Sequence, residues 1–440
     1  MCYAESDDGL TWTNPELGLV KEDGNRTNIV LGGREGLEQV HSCHVIEDPH
    51  PDDDSRRYRA LFSHYPPYAG QMRVASSPDG IQWTTDPELP LFGALGARLG
   101  DVCTLHYDHY SRSFVVVTRH WFQTAPALNP RNPVGPTNPG PRYPHDFAKQ
   151  NRRRIWQAES PDMIHWSQPY LLLRPDDEEE DNIDDGFYGM TQYEVGSQFV
   201  GFLNVLHRVD NTMDVQLVAS RDRKRWRRLG KRRPWLETGE AGSWDLGMVT
   251  VCSPPIEDGD DLLIYYGGCA NHHDYWMWGP REGMEHPEIS DPSLVSFGLG
   301  RLRMRKDGFV SFDAGPHREG LLVTRPLLSE GGALEINGRC HAGGYIKVEV
   351  VDQGDELLPG RSREECDVFT GDATAHRVTW RGDATVPAAR PEFGGDTVFP
   401  WKTEKPFRKI RFFMRNAELY SLRFVRTDAD AKTGSRALSG

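Results

Sequence analysis

The sequence predicts an all-β protein: a five-bladed β-propeller whose first blade is incomplete at the N-terminus, followed by a small antiparallel β-sandwich. Three observations predict this. A hairpin motif recurs at long intervals, the composition favours turns and short strands, and the strand pattern changes near residue 322.

The motif is clearest as Ser77-Pro78-Asp79-Gly80-Ile81-Gln82-Trp83. Pro presets φ, Gly tolerates φ > 0, and Asp hydrogen-bonds the turn backbone, so the stretch reads as strand end, tight turn and new strand. Further copies are Ser6-Asp7-Asp8-Gly9-Leu10-Thr11-Trp12, Ser160-Pro161-Asp162-Met163-Ile164-His165-Trp166 and Ser220-Arg221-Asp222-Arg223-Lys224-Arg225-Trp226. A weaker fifth copy is Lys306-Asp307-Gly308-Phe309, with Phe312 near the Trp position. The Asp positions are 71, 83, 60 and 85 residues apart, which leaves room for several short strands in each repeat. That is the signature of a propeller. The repeat tryptophans 12, 83, 166 and 226 are expected to pack between blades.

Each blade is expected to run inner strand, second strand, third strand, turn, outer strand. Short β-branched and aromatic runs bounded by turn residues place these strands. Blade two has strands at 41–48, 58–64 and 72–76, with an outer strand from Ile81. Blade three has 102–107, 113–119 and 154–159. Blade four has 188–194, 198–207 and 213–220. Blade five has 248–256, 261–267 and 296–304. The chain starts inside what is the third strand of the other repeats, so a longer natural chain or a partner strand is expected to complete blade one. The domains are then 1–322, the propeller, and 323–427, the sandwich, with 428–440 a polar tail. Segments 334–336, 345–350, 376–380 and 410–414 supply the alternating strands of the second domain.

Composition excludes several classes. The 44 Gly and 31 Pro fit many turns. A net charge of −14 argues against a nucleic-acid partner. No apolar run is long enough to span a membrane. The N-terminus has neither the basic region nor the apolar core of a signal peptide, which makes the cytoplasm the default location. The seven Cys (2, 43, 103, 252, 269, 340, 366) are scattered and read as buried strand residues. Oligomeric state is not legible.

Propeller topology sorts the loops by face. The Asp turns join strands three and four and lie on one face. The long insertions fall on the other: 122–149, with seven prolines; 176–185, with eight acids; and 269–293. Loops of this length are commonly functional. Inner strands start at the same face, which places Asp101, Asp245 and Asp185 near the axis, with Asp184 beside the last. Converging carboxylates suit glycosidic cleavage, in which one protonates the leaving oxygen and another acts as nucleophile or base. His41, Arg119, His120, Tyr188, His207, Trp244, His272, His273, Tyr275 and Trp276 are the candidate substrate contacts, with Trp121 and Trp278 as further flat surfaces for a sugar. The basic run 221–233 holds nine basic residues in thirteen and reads as a solvated loop, as does the acidic run.

The hairpins, together with Phe187-Tyr188-Gly189-Met190, Trp244-Asp245-Leu246-Gly247, Tyr265-Tyr266-Gly267-Gly268 and Asp307-Gly308-Phe309-Val310-Ser311, resemble the five-bladed glycoside hydrolases of family 32, family 43 and related bacterial proteins. The segments Val348-Glu349-Val350 and Arg415-Asn416-Ala417-Glu418-Leu419-Tyr420 resemble the sandwich that accompanies them. The resemblance covers nearly the whole chain and implies a glycosidase without a resident cofactor. The fructosidase motifs Trp-Met-Asn-Asp-Pro-Asn-Gly and Arg-Asp-Pro are absent. Glu365-Cys366 matches that group's Glu-Cys pair but falls in the second domain, so no role carries over to it.

Two other classes remain open from the sequence. One is a non-catalytic carbohydrate-binding propeller. The other is a metal-dependent carbohydrate-active enzyme such as a lyase, in which Asn271-His272-His273-Asp274 would hold a cation near the pore.

Overall fold

The computed structural model describes residues 1–32, 39–51, 53–65, 71–100, 102–119, 153–175, 181–182, 184–273, 295–328, 331–388 and 407–426. The protein is all-β: among the described residues the only helical elements are three 3₁₀ turns of three residues each. The chain forms two compact units. One comprises Met1–Ile256 and Leu263–Arg303, the other Glu257–Leu262 and Met304–Gly440.

In the first unit the strands pair in sequence order as antiparallel meanders. Gln39–Glu47, Tyr58–Tyr65, Gln71–Ser77 and Thr84–Thr85 make one sheet. Cys103–Asp108, Ser113–Arg119, Ile155–Ser160 and Tyr170–Leu173 make the next. Asp185–Val195, Gln198–His207, Thr212–Ser220 and Trp226–Arg228 make a third. This last is joined by a single parallel pair, Met213 with Met248, to Met248–Thr250, Asp261–Cys269 and Phe297–Arg305. The strands lie within about three residues of their expected positions. The exception is 248–256, of which Met248–Thr250 pairs within this sheet.

Apolar side chains fill the spaces between sheets. Leu61, Met72 and Val74 of the first sheet pack with Leu105, Phe114 and Val116 of the second. Val115, Val117 and Ile155 on the opposite face of the second pack with Phe187, Leu203 and Val205 of the third. A strand with both faces buried shows a continuous apolar run, and Phe114–Val117 has one.

Four of the five repeat turns share one geometry. Asp79 Oδ1 accepts from the amides of Ile81 and Gln82 at 2.9 and 2.8 Å, Ser77 Oγ accepts from Gly80 N, and Trp83 Nε1 donates to the Gly80 carbonyl. The turns at Asp8, Asp162 and Asp222 repeat the carboxylate bonds. Trp166 and Trp226 are buried, while Trp12 is partly exposed and meets Tyr265 edge-on. The fifth copy is a different turn. There the left-handed residue is Asp307 itself, and Phe312 pairs with Leu419 of the second unit.

In the second unit, Gly332–Asp352 and Arg408–Val425 form a long antiparallel ribbon with irregular register at Asn337/Gly338 and Cys340/Tyr345. Asp372–Arg377 and Thr385–Val386 pair with the first of these strands. Phe312–Ala314 and Gly320–Val323 pair with the second, so residues 304–322 join this unit and not the first. Its core gathers Leu334, Ile346, Val348, Trp380, Ile410 and Phe412.

All seven cysteines are free. Cys103, Cys269 and Cys366 are buried, but Cys2 and Cys252 are exposed, against the expectation of uniformly buried thiols. The basic and acidic runs are also less solvated than expected. Arg228 and Arg232 both bond Asp181, and Arg223 turns inward onto Asp108.

Candidate functional site

Tyr188 sits at an irregularity in its strand. Phe187 pairs with Val205 and Gly189 with Asn204, so Tyr188 is the extra residue of a bulge. A bulge re-aims a side chain, and here the ring becomes a hub. The Arg119 guanidinium lies 4.0 Å from its centre and that of Arg153 lies 4.8 Å away. The His273 ring meets it edge-on at 4.7 Å. Two strands and two loop segments thus deliver cationic and aromatic groups to one point. Arg153 was not singled out from the sequence; its only signal was its place in the basic triplet 152–154 after the long insertion.

Asp185 starts the same strand. Its Oδ1 lies 2.8 Å from His207 Nδ1, and Asn182 N donates to its Oδ2 at 2.9 Å. The other ring nitrogen, His207 Nε2, lies 2.8 Å from Asp214 Oδ2. Burial opposes charge on this imidazole. The hydrogen bonds and charges of Asp185 and Asp214 outweigh burial and push its pKa up to about 10. The imidazole is therefore a cation at neutral pH, clamped between two carboxylates. Asp185 is buried and accepts on both oxygens. Asp214 was missed because it lies in the next strand, across a turn from His207.

A second cluster surrounds Asp245. Ser243 Oγ donates to its Oδ1 at 2.8 Å and Tyr266 Oη to its Oδ2 at 3.1 Å. Trp244 stacks on Tyr266, with centres 5.7 Å apart and planes 25° from parallel. Two glycines let the indole lie flat on the sheet. A Cβ on Gly298 would fall 2.6 Å from Trp244 Cζ3, and one on Gly268 would fall 2.6 Å from the same atom. Trp244 remains 38% exposed, although a free Trp in a protein of this size would normally be covered. Tyr266 appeared in the sequence only within its Tyr-Tyr-Gly-Gly motif.

Backbone bonds tie the two clusters together. Met213 N donates to the Gly247 carbonyl, Gly247 N to that of Cys269, and His273 N to that of Asn211. The candidates Arg119, Tyr188, His207 and His273 are thus linked to Trp244 and Asp245 through this network. His41 is exposed beside another irregularity, between His41 and His44, with Ser42 at φ 48. His272 is half-buried next to His273. Asp101, His120, Trp121, Asp274, Tyr275, Trp276 and Trp278 lie outside the described residues. Among the described residues no group of three His, Cys, Asp or Glu side chains is placed to hold a metal.

No family model matches the sequence, and no curated protein matches it. Solved structures do. The chain is similar to an N-acetylgalactosamine deacetylase from F. plautii in complex with blood group B trisaccharide. That match has 15% identity and a TM-score of 0.38, and covers 60% of this chain and 70% of that one. It is similar to a β-1,2-mannobiose phosphorylase from Listeria innocua, with 15% identity, a TM-score of 0.42, and 70% and 67% of the two chains covered. It is also similar to a glycosyl hydrolase from Bacteroides ovatus, with 14% identity, a TM-score of 0.37, and 61% and 71% covered.

Proposed function

We propose that the first unit is a five-bladed propeller that cleaves glycosidic bonds, and that the second unit is a β-sandwich. The observation that carries the reading is the pairing of an exposed, flat-lying indole, Trp244, with a fixed carboxylate on the next residue, Asp245. Flat aromatic faces suit the apolar face of a sugar ring, and an oriented carboxylate beside one is what glycosidic chemistry uses. Asp245 and Asp101 are the proposed carboxylates. One gives its proton to the leaving oxygen, and the other takes the nucleophile or base role. A separation of about 5–5.5 Å would retain configuration and about 6.5–9.5 Å would invert it. Asp185 is proposed to hold and orient the His207 imidazole, to which its Oδ1 is bonded. Arg119, Arg153 and His273 around Tyr188 form the proposed rim that binds hydroxyls.

A carbohydrate-binding protein without catalysis is the second reading. It is favoured by the commitment of Asp185 to the His207 imidazole and the Asn182 amide. One screen separates the two. Reducing-sugar release is measured over furanosidic and pyranosidic oligosaccharides, with Asp245→Asn and Asp101→Asn beside the parent. Release that both variants lose while their melting curves are kept supports the enzyme. Glycan binding without release supports the binder. Neither binding nor release removes both readings.

A further inference from the structure

Trp244 and Asp245 lie in a turn just ahead of Met248–Thr250, outside any strand. Ser243 bonds Asp245 from within the same turn and moves with it. Tyr266 is different. It comes from the strand Asp261–Cys269, 21 residues further on, and touches both groups. Its ring stacks on the Trp244 indole, and its hydroxyl donates to Asp245 Oδ2 at 3.1 Å.

The Tyr266 ring is itself fixed. Tyr266 and Gly268 alternate onto one face of their strand, and Gly298 and Gly300 share one face of the strand Phe297–Arg305. A Cβ on Gly300 would overlap the Tyr266 ring and fall 2.7 Å from its Oη. The phenol thus lies where a side chain would otherwise stand, as the indole does over Gly268 and Gly298. Backbone closes on the carboxylate as well, since a Cβ on Gly239 would overlap Asp245 Oδ1. Glycine weakens a strand interior, and its recurrence at 268, 298 and 300 marks a close approach.

We infer that Tyr266 is a positioning residue of the candidate site: one side chain holds the indole and the Asp245 carboxylate in a fixed register. The inference rests on the glycosidase reading, in which Trp244 carries the sugar ring and Asp245 serves the cleavage. A reacting group displaced by about 1 Å can lose about 100-fold in rate, so the register matters as much as the residues. A phenol suits the task, because its oxygen is rigid on a ring that is already pinned. Burial first, then the bond and charge of Asp245, raise the Tyr266 pKa above its ordinary 10, so the hydroxyl remains a donor at neutral pH.

Two variants of the full chain test this. Tyr266→Phe keeps the ring stacked on the indole and removes the hydroxyl. On a glycan cleaved in the reducing-sugar screen it should keep KM within about threefold of the parent and lose at least about tenfold in kcat, with its melting curve kept. In Asp245→Asn the hydroxyl loses its charged acceptor, so one tyrosine should titrate nearer to 10 than in the parent, as followed through the ring ¹³Cζ signals. That tyrosine should be the one absent from Tyr266→Phe. Parent kcat in Tyr266→Phe overturns the inference, as does a raised KM at unchanged kcat, which marks lost ground-state binding. Tyrosine titrations unmoved by Asp245→Asn overturn it without any substrate, and they decide the matter where Tyr266→Phe fails to fold. A parent that releases no sugar overturns the glycosidase reading and this inference with it, a result distinct from a variant that matches an active parent.

Discussion

Replacing His207 by Gln tests the cation held between Asp185 and Asp214. Each carboxylate lies 2.8 Å from a ring nitrogen, and the His207 side chain is 19% exposed. Its pKa rises from 6.5 to about 10. At about 1.4 kcal/mol per pKa unit, the ceiling on the stabilisation is about 5 kcal/mol. Two charge-assisted hydrogen bonds at about 1.5–3 kcal/mol each reach a similar figure. Partial exposure lowers both, and about 3 kcal/mol is expected. The sign follows from the direction of the shift. A group whose pKa is raised on folding stabilises fully below its unfolded value, here about 6.5, and its contribution fades as pH rises through about 10. Urea unfolding of parent and His207→Gln at several pH values measures the gap between them, and ionisations common to both cancel. The gap should be about 3 kcal/mol at pH 6.5 and under about 1 kcal/mol above pH 10. A gap that is constant or widens across this range would show that the imidazole is not charged, and the clamp would then be an ordinary neutral hydrogen-bonded pair.

Gly298→Ala should push the Trp244 indole off the sheet, because carbons pack at about 3.5–4.0 Å and the new Cβ would start at 2.6 Å. The exposed indole can swing outward, so stability should change by less than about 1 kcal/mol while tryptophan fluorescence shifts and glycan binding falls; an unchanged emission spectrum refutes the close approach. Asp108→Ala strands the buried Arg223 guanidinium and should cost at least about 3 kcal/mol, and Asp108→Leu with Arg223→Met should recover most of it, as read from urea midpoints. Met163→Gly relieves a left-handed residue at φ 68 but empties a fully buried site, and a net loss of about 2 kcal/mol in thermal or urea unfolding is expected.

The strands of the first unit were legible because each apolar run ends at a turn whose chemistry is local. Ser77, Asp79, Gly80 and Trp83 satisfy one another within seven residues, so sequence alone contains the whole turn. The Arg223–Asp108 bond spans 115 positions, and nothing near Arg223 announces it. The same reason hid the Asp181 pairs of Arg228 and Arg232, which made two opposed charge runs read as two solvated loops. The fifth repeat failed for a related cause. Asp-Gly-Phe specifies a turn, but which strand the following Phe312 joins depends on a partner more than 100 residues away. At the site, the sequence marked Tyr188, His207 and Trp244 by residue type. It did not give the partners Arg153, Asp214 and Tyr266, whose roles depend on contacts across strands.

The glycine position of the repeat turn shows how such distant contacts are bought. Gly9 and Gly80 hold it at φ 67 and 77, where glycine is unstrained. Met163 and Arg223 hold it at φ 68 and 56, a conformation that disfavours side chains by roughly 1 kcal/mol or more. Both residues use the side chain that glycine lacks. Met163 is fully buried among Leu61, Phe92 and Trp166, which belong to elements on both sides of it in sequence. Arg223 crosses to Asp108 and lies over Phe199. Burying a Met side chain contributes about 1.5–3 kcal/mol, which exceeds the local strain. The departures from the Asp-Gly consensus are therefore places where neighbouring sheets are fastened together. The two consensus copies lack that fastening side chain. A chain in which Met163 and Arg223 were both returned to Gly would keep its turns and loosen its sheets, and amide exchange should then quicken in the strands Ile155–Ser160 and Thr212–Ser220 while the turn amides of Ile164 and Arg225 stay protected.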